Sequence, residues 1–321
     1  MTTATTPTTS AVTVGVDLGG TKTAAGLVLP DGTIAVHCTA PTPAADGPAA
    51  VVHTVTQLIE RLAGKAAHRG LPTPIAVGIG SAGVIDTDRG VVRSSTDHLP
   101  GWAGTPLAEL VTARTGLPVR VTNDVHAHAV GEARYGAGRG LRSVLVVAAG
   151  TGLGGCLVLG GVPVGGARHA AGHFGHIPAA EAHGLTCSCG RTGHLETIAS
   201  GPGLLALYRR RGGQAPDARH VAANADSGEL NARDCLTLTG KALGRAIGGW
   251  VNMLDPDAVI VTGGLADAGP LWWSAVTTAA REHHIAAVAD CPLVAARYGT
   301  SAAIIGAAAL ARDAHAQGDA R

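Results

Sequence analysis

Charge is scarce in this chain. Asp, Glu, Lys and Arg make up only 15% of its 321 residues, and 24 basic against 23 acidic side chains leave a formal net charge of +1. Such a balance carries no electrostatic footprint for nucleic acid or an anionic membrane, so neither partner is expected. So low a charged fraction also means that much of the chain is core. Long apolar runs are missing too. The longest, SAAIIGAAALA at 301–311, is too short to span a bilayer, which takes about 20 residues, and reads as a buried helix. The first ten residues, MTTATTPTTS, have neither the basic nor the apolar region of a signal peptide. Six cysteines at this length are not a disulfide scaffold, and Cys187 and Cys189 are too close to favour bridging each other. The expectation is a soluble, cytoplasmic α/β protein of about two domains.

What is present is one pattern used twice. Residues 12–34 begin with an alternating strand (Val12, Val14, Val16), turn at a Gly pair, and continue as a second apolar strand ending at Asp31-Gly32. Residues 144–164 repeat the plan at an offset of 130: Val14 and Val16 fall on Val144 and Val146, Gly20-Thr21 on Gly150-Thr151, and Leu27-Val28-Leu29 on Leu157-Val158-Leu159. Two copies of strand, Gly turn and strand predict two α/β lobes facing one another across a cleft. Residues 74–86 read as a buried strand running into a Gly loop, and 118–136 as a strand ending at Asn123-Asp124 followed by a helix. Residues 235–255 read as a long helix and 258–264 as a strand stopping at a Gly pair. The stretch 208–230 reads as a polar connection with no assignable chemistry.

The first turn, DLGGTKT (17–23), lacks the P-loop spacing, and a strand rather than a helix follows its glycines, so it is not a dinucleotide fingerprint. It supplies backbone N–H groups that can face an anion, with a Thr hydroxyl, a Lys and an Asp. AAGTGLGG (148–155) offers the same donors without the charges. Each Gly pair alone can be a mere hairpin turn. As a pair, joined by VIVTGGLADAG (259–269), they suit a polyphosphate, with Asp17 placed for a Mg²⁺ shell. His176, Cys187, Cys189 and His194 can form a tetrahedral N₂S₂ zinc site; the other reading is two buried thiols beside exposed histidines.

Together the motifs DLGGTK, TNDVHAHAVGE, GTGLGG, GH, CSCG with LE, and TGG resemble the ROK family (repressors, open reading frames, sugar kinases) of the actin-like ATPase superfamily, from about residue 12 to 312. The resemblance implies two ribonuclease-H-like lobes around a hinge cleft, ATP and Mg²⁺ as cofactors, a sugar pocket at the hinge and often a homodimer. The lobes are expected at 1–122 plus 300–321, and at 123–299 with a zinc-binding loop. Asp17, Gly19, Gly20, Thr21, Lys22, Gly150, Thr151, Gly152, Gly263 and Gly264 are the expected nucleotide contacts. Asp124 is the expected general base, and Gly83, His98, Asn123, His173, His176 and Glu196 join it as substrate contacts. Asn-Asp after a strand is more often a turn or helix N-cap; the NDVxxxxxGE context, ending at Gly131-Glu132, favours the catalytic reading.

Three departures from the family pattern stand out. The family places one His and three Cys on a structural zinc; here the third Cys is His194, so the expected site is Cys₂His₂. The Glu that the family places before x-Gly-His is His173, and the Asn usual before Leu-Pro-Gly-Trp is His98. A carboxylate accepts two hydroxyl protons, whereas a neutral imidazole offers one donor and one acceptor. Both changes fall on sugar-contacting positions, so a modified hexose or C7-cyclitol is favoured over plain glucose, with an ordinary glucokinase as the alternative. A sugar-sensing regulator of the ROK type is the reading from another class. It would follow a helix-turn-helix domain, and only ten Thr-rich residues precede the first strand here.

Overall fold

The computed structural model describes residues 11–95 and 99–319, which leaves His98 outside the described residues. The chain begins with β1 (Thr13–Leu18), β2 (Lys22–Val28), β3 (Ile34–Pro41), α1 (Pro48–His68), β4 (Val77–Ser81), β5 (Val84–Asp86) and β6 (Val91–Ser94). α2 (Leu107–Thr115), β7 (Val119–Asn123) and α3 (Asp124–Tyr135) follow, then β8 (Ser143–Ala149), β9 (Leu153–Leu159) and β10 (Val162–Pro163). The remainder is α4 (Glu196–Ala199), α5 (Gly201–Arg210), α6 (Ala218–Asp226), α7 (Leu230–Leu254), β11 (Ala258–Thr262), α8 (Pro270–Arg281), β12 (Leu293–Ala295) and α9 (Ser301–Asp319).

These elements form two compact units. The first holds the described residues up to Arg139, Gly165–Ala171, and those from Thr300 onward; the second holds Gly140–Val164 and Gly172–Gly299. The sheet of the first unit runs β3-β2-β1-β4-β7, that of the second unit β10-β9-β8-β11-β12. In each, the first hairpin is antiparallel and the next two pairings are parallel. The hairpin turns differ by one residue. Leu18 pairs with Thr23 across Gly19–Lys22, whereas Ala149 pairs with Leu153 across the shorter Gly150–Gly152.

In the first unit, Val14, Val16 and Leu18 of β1 pack in one core with Val51, Val55, Leu58 and Leu62 of α1, a stripe at helical spacing that matches an amphipathic helix. Pro48 opens that helix at a position where its missing N–H is no loss. The opposite face of the sheet is covered by α9, whose run of small residues lets backbones approach. A Cβ on Gly15 would stand 1.9 Å from Ile304 O, and one on Gly78 1.8 Å from Ala307 O. Glycine in these two strand interiors is thus set by the helix packed on them. The second unit has its own core, built from Leu145 and Val147 of β8, Val259 and Val261 of β11, and Leu236, Leu243 and Trp250 of α7.

Two expectations meet a different arrangement. The compact units divide after Arg139, later than the boundary expected near 122. The reason is α3, which packs on α9: a Cβ on Gly131 would lie 2.1 Å from Ala302 O. The stretch 208–230 is not merely a polar connection, since it contains α6, N-capped by Asp217. The buried Tyr208 hydroxyl is within 2.7 Å of a Glu229 carboxylate oxygen and accepts from Asn224 Nδ2 at 3.1 Å. That network closes α5 and α6 onto the second core. No helix among the described residues is long and apolar enough to cross a membrane.

Candidate active site

In the first unit, the candidate residues gather where β1, β4 and β7 end. The strands are parallel neighbours, and their last residues align as Leu18 beside Ser81 and Ser81 beside Asn123. The C-terminal edge of parallel strands is where α/β folds place ligands, because loops and helix N-termini there present backbone N–H groups. Asp17, next to last in β1, has its pKa pushed up to about 7, first by burial and then by the nearby Asp124 carboxylate, with Lys22 opposing. The turn after it is braced from β3's end: Thr42 Oγ1 donates to Gly19 O at 2.7 Å and Thr42 N to Thr21 O at 3.0 Å. Thr21 and Lys22 are exposed. Nothing in the residues around it singled Thr42 out in the sequence, because the bracing contact crosses 23 positions.

Asn123 ends β7 and caps α3. Its Oδ1 accepts from Val125 N at 3.0 Å and His126 N at 3.2 Å, while its Nδ2 donates to Gly83 O at 3.0 Å and Asp124 Oδ1 at 2.9 Å. A side-chain amide has two acceptor and two donor sites, so all four are engaged within the chain. The helix-cap reading of Asn-Asp is what the structure shows, and the capping amide also donates to the neighbouring Asp124 carboxylate. Asp124 Oδ1 also accepts from Val125 N at 2.9 Å. Gly83, at φ +106°, would drive a Cβ to 2.3 Å from Ser94 O, so only glycine presents its carbonyl to Asn123 here.

In the second unit, the Gly150–Gly152 turn and the Gly263-Gly264 pair stand side by side. β8 and β11 are parallel neighbours with Ala148 opposite Thr262, and a Cβ on Gly263 would lie 2.5 Å from Ala149 O. Gly201 N, at the start of α5, donates to Gly150 O at 2.8 Å. Glu196 reaches the same turn: its Oε2 accepts from Leu153 N at 2.9 Å and its Oε1 from Ser188 Oγ at 2.9 Å. The carboxylate expected at a sugar thus also ties the Gly turn to the cysteine loop.

That loop folds as a knuckle, with Cys187 N donating to Arg191 O at 2.7 Å and Gly190 N to Cys187 O at 2.9 Å. His176, Cys187, Cys189 and His194 bring one ligand atom each to within 4.8 Å of one another. His176 Nδ1 is 3.6 Å from Cys187 Sγ, and His194 Nδ1 is 3.3 Å from Cys189 Sγ. Tetrahedral zinc with ordinary Zn–S and Zn–N bonds separates such a pair by about 3.6 Å, so the donor set fits the ion. Burial pushes the Cys187 thiol up and His176 down. His173 stacks on His176 at 6.0 Å between centroids and is itself exposed; it is not among the four clustered groups.

The sequence profile of the ROK family matches residues 13–314. The chain belongs to the ROK family. It is 34% identical to a glucokinase of Streptomyces coelicolor, over 94% of this chain and 98% of that protein. An N-acetylmannosamine kinase of Escherichia coli is also 34% identical over the same shares. Among solved structures, a ROK family glucokinase from Streptomyces griseus in complex with glucose and AMPPNP superposes with a TM-score of 0.80 at 32% identity, covering 94% of this chain and all of that one. This ROK chain therefore has the actin-like ATPase fold, realised as two α/β units of equal strand order.

Proposed function

We propose that this ROK protein is an ATP-dependent carbohydrate kinase that transfers the γ-phosphoryl group to a primary hydroxyl of a glucose-like ring, with Asp124 as general base. The observation that carries this reading is the Asp124 carboxylate at the first residue of α3, just past the end of β7, oriented by Asn123 Nδ2 and Val125 N at 2.9 Å each. The hydroxyl oxygen bonds to the γ-phosphorus as the bond from that phosphorus to the β–γ bridging oxygen breaks. ADP leaves, and the hydroxyl proton passes to Asp124. In the first unit the Gly19–Lys22 turn with the Lys22 ammonium, and in the second the Gly150–Gly152 turn with Gly263 and Gly264, are the groups we assign to the phosphates. Asp17 would hold Mg²⁺, whose charge neutralises the phosphates; a carboxylate already crowded by Asp124 suits a bound cation. His176, Cys187, Cys189 and His194 would hold zinc in a structural role, pinning the loop that runs into Glu196.

His173 refines the substrate. At a position where the family has a carboxylate, an imidazole gives up one acceptor and the pairing of an ammonium. A modified hexose or a C7-cyclitol is then favoured over plain glucose, and an amine at the C1–C2 end is disfavoured. Ordinary glucokinase activity is the second reading, favoured by the glucokinases among the relatives. Magnesium dependence and a homodimer belong to the same family-based reading. Asp124→Asn is expected to abolish turnover while ATP affinity stays near wild type; near-normal turnover removes Asp124 as base. A panel of hexoses, N-acetylhexosamines and cyclitols tests the refinement, which fails if plain glucose is turned over as efficiently as any other member.

A further inference from the structure

Residues Gly165–Ala171 form a short strap that packs with the first unit although the chain on either side of it belongs to the second. The strap is closed on itself by His169 N donating to Gly166 O at 3.1 Å and Ala171 N to Gly165 O at 3.0 Å. Two histidines fasten it. His126, buried on α3 two residues past Asp124, donates from Nε2 to Ala171 O at 2.9 Å. His169 places Nδ1 3.2 Å from Thr87 Oγ1 and Nε2 3.6 Å from Asp86 Oδ1, at the turn between β5 and β6.

The backbone at His169 is left-handed, at φ +57°, a conformation shared by only one other non-glycine among the described residues. A histidine pays in backbone energy to sit there, and what it gains is a ring only 18% exposed against an Asp86 side chain 6% exposed. Asp86, Asp88 and His169 also bring ligand atoms together, but a cation is not what they serve. Asp86 Oδ2 already takes Arg93 Nη2 at 2.6 Å and Nε at 3.2 Å, and Oδ1 takes Arg89 N at 3.2 Å.

We infer that His169 is a positioning residue: by fastening the strap to Asp86 and Thr87, it fixes where the chain enters Gly172 and His173, and so sets the sugar contact at His173. The inference rests on the kinase reading above. It makes His169 responsible for substrate affinity without touching substrate, through the two residues that separate Ala171 from Phe174.

The test uses the full-length chain with D-glucose as common probe, steady-state kinetics and hydrogen exchange of the strap amides. His169→Gly removes the ring while relieving the left-handed backbone, so misfolding is not the expected result. KM for glucose is expected to rise about tenfold, with kcat and KM for ATP within about twofold, and exchange is expected to quicken at 165–176. His169→Asn, which tolerates this backbone and keeps a polar end, should restore most of the affinity. Thr87→Val should act in the same direction more weakly. Faster strap exchange with unchanged glucose KM overturns the positioning role. Unchanged exchange overturns the clasp itself, and a parallel rise in both KM values overturns its selectivity for the sugar end. A wild-type chain that phosphorylates no member of the panel sinks the kinase reading instead, while the exchange arm still decides whether the clasp exists.

Discussion

Asn123 offers the sharpest test, because its cap and its hold on Asp124 can be separated. Ser in place of Asn keeps an oxygen that accepts from the first turn of α3 but loses both Nδ2 donors, those to Gly83 O and Asp124 Oδ1 at 3.0 and 2.9 Å. Ala loses all four bonds. Removing an N-cap costs about 1 kcal/mol, so Asn123→Ala should unfold about 1 kcal/mol more easily than Asn123→Ser. For units of this size that is a Tm gap of about 2–4 °C. A hydrogen bond to a charged acceptor contributes about 1.5–3 kcal/mol. Asp124 is half-buried, so water replaces part of it, and the low end applies. About 1.4 kcal/mol is a factor of ~10 in rate, so both variants should lose about tenfold in kcat with little change in KM for ATP. Urea unfolding and steady-state kinetics on both proteins measure the two quantities separately. Wild-type kcat in Asn123→Ser would refute the positioning argument. A rise in sugar KM alone, with kcat intact, would show instead that Asn123 acts by contacting sugar.

Three further outcomes are expected. Purified protein should carry about one zinc per chain by elemental analysis, and Cys187→Ser should lose the metal and lower Tm; a well-folded chain free of metal would end the Cys₂His₂ assignment. Gly78→Ala forces a Cβ to 1.8 Å from Ala307 O, backbone that yields only if α9 moves, so denaturant unfolding should reveal a loss at or beyond the roughly 3 kcal/mol upper range for overpacking. A change under 0.5 kcal/mol would mean the helix is not seated as described. Asp86 is held below the usual carboxylate range, first by Arg93 and then by the Arg89 N–H and His169, against burial. Its ionised form therefore stabilises the fold above the ordinary pKa of about 4, a contribution lost as pH falls through the lower native value. Asp86→Asn should be less stable than wild type at pH 7, and the difference should shrink in strong acid; a gap that stays constant down to about pH 2.5 would contradict this.

How much of this was legible beforehand depends on range. The repeated hairpins at an offset of 130 announced two sheets of one design, and both sheets have the same strand order. The one-residue difference between the turns was not visible, since pairing register is settled across the ladder and not by the turn sequence alone. The spacing of His176, Cys187, Cys189 and His194 sufficed to nominate a cluster, because a knuckle is local and its partner histidines lie close in sequence. The stretch 208–230 looked empty because Tyr208 and Glu229, which close it, are 21 positions apart.

The sequence by itself determined the fold class, the family and the inventory of chemistry, because hydrophobic period, Gly turns and motif spacing are properties of neighbouring residues. Only the tertiary structure decided how those residues are employed. It showed Asn123 spending its whole amide within the chain, Glu196 spanning from Leu153 to Ser188, and α3 belonging with α9. It also brought His169 to Asp86 across 83 positions. Hydrogen bonds and close backbone packing depend on separations of a few ångströms, and for residues so distant along the chain those separations exist only once the sheets and helices have packed.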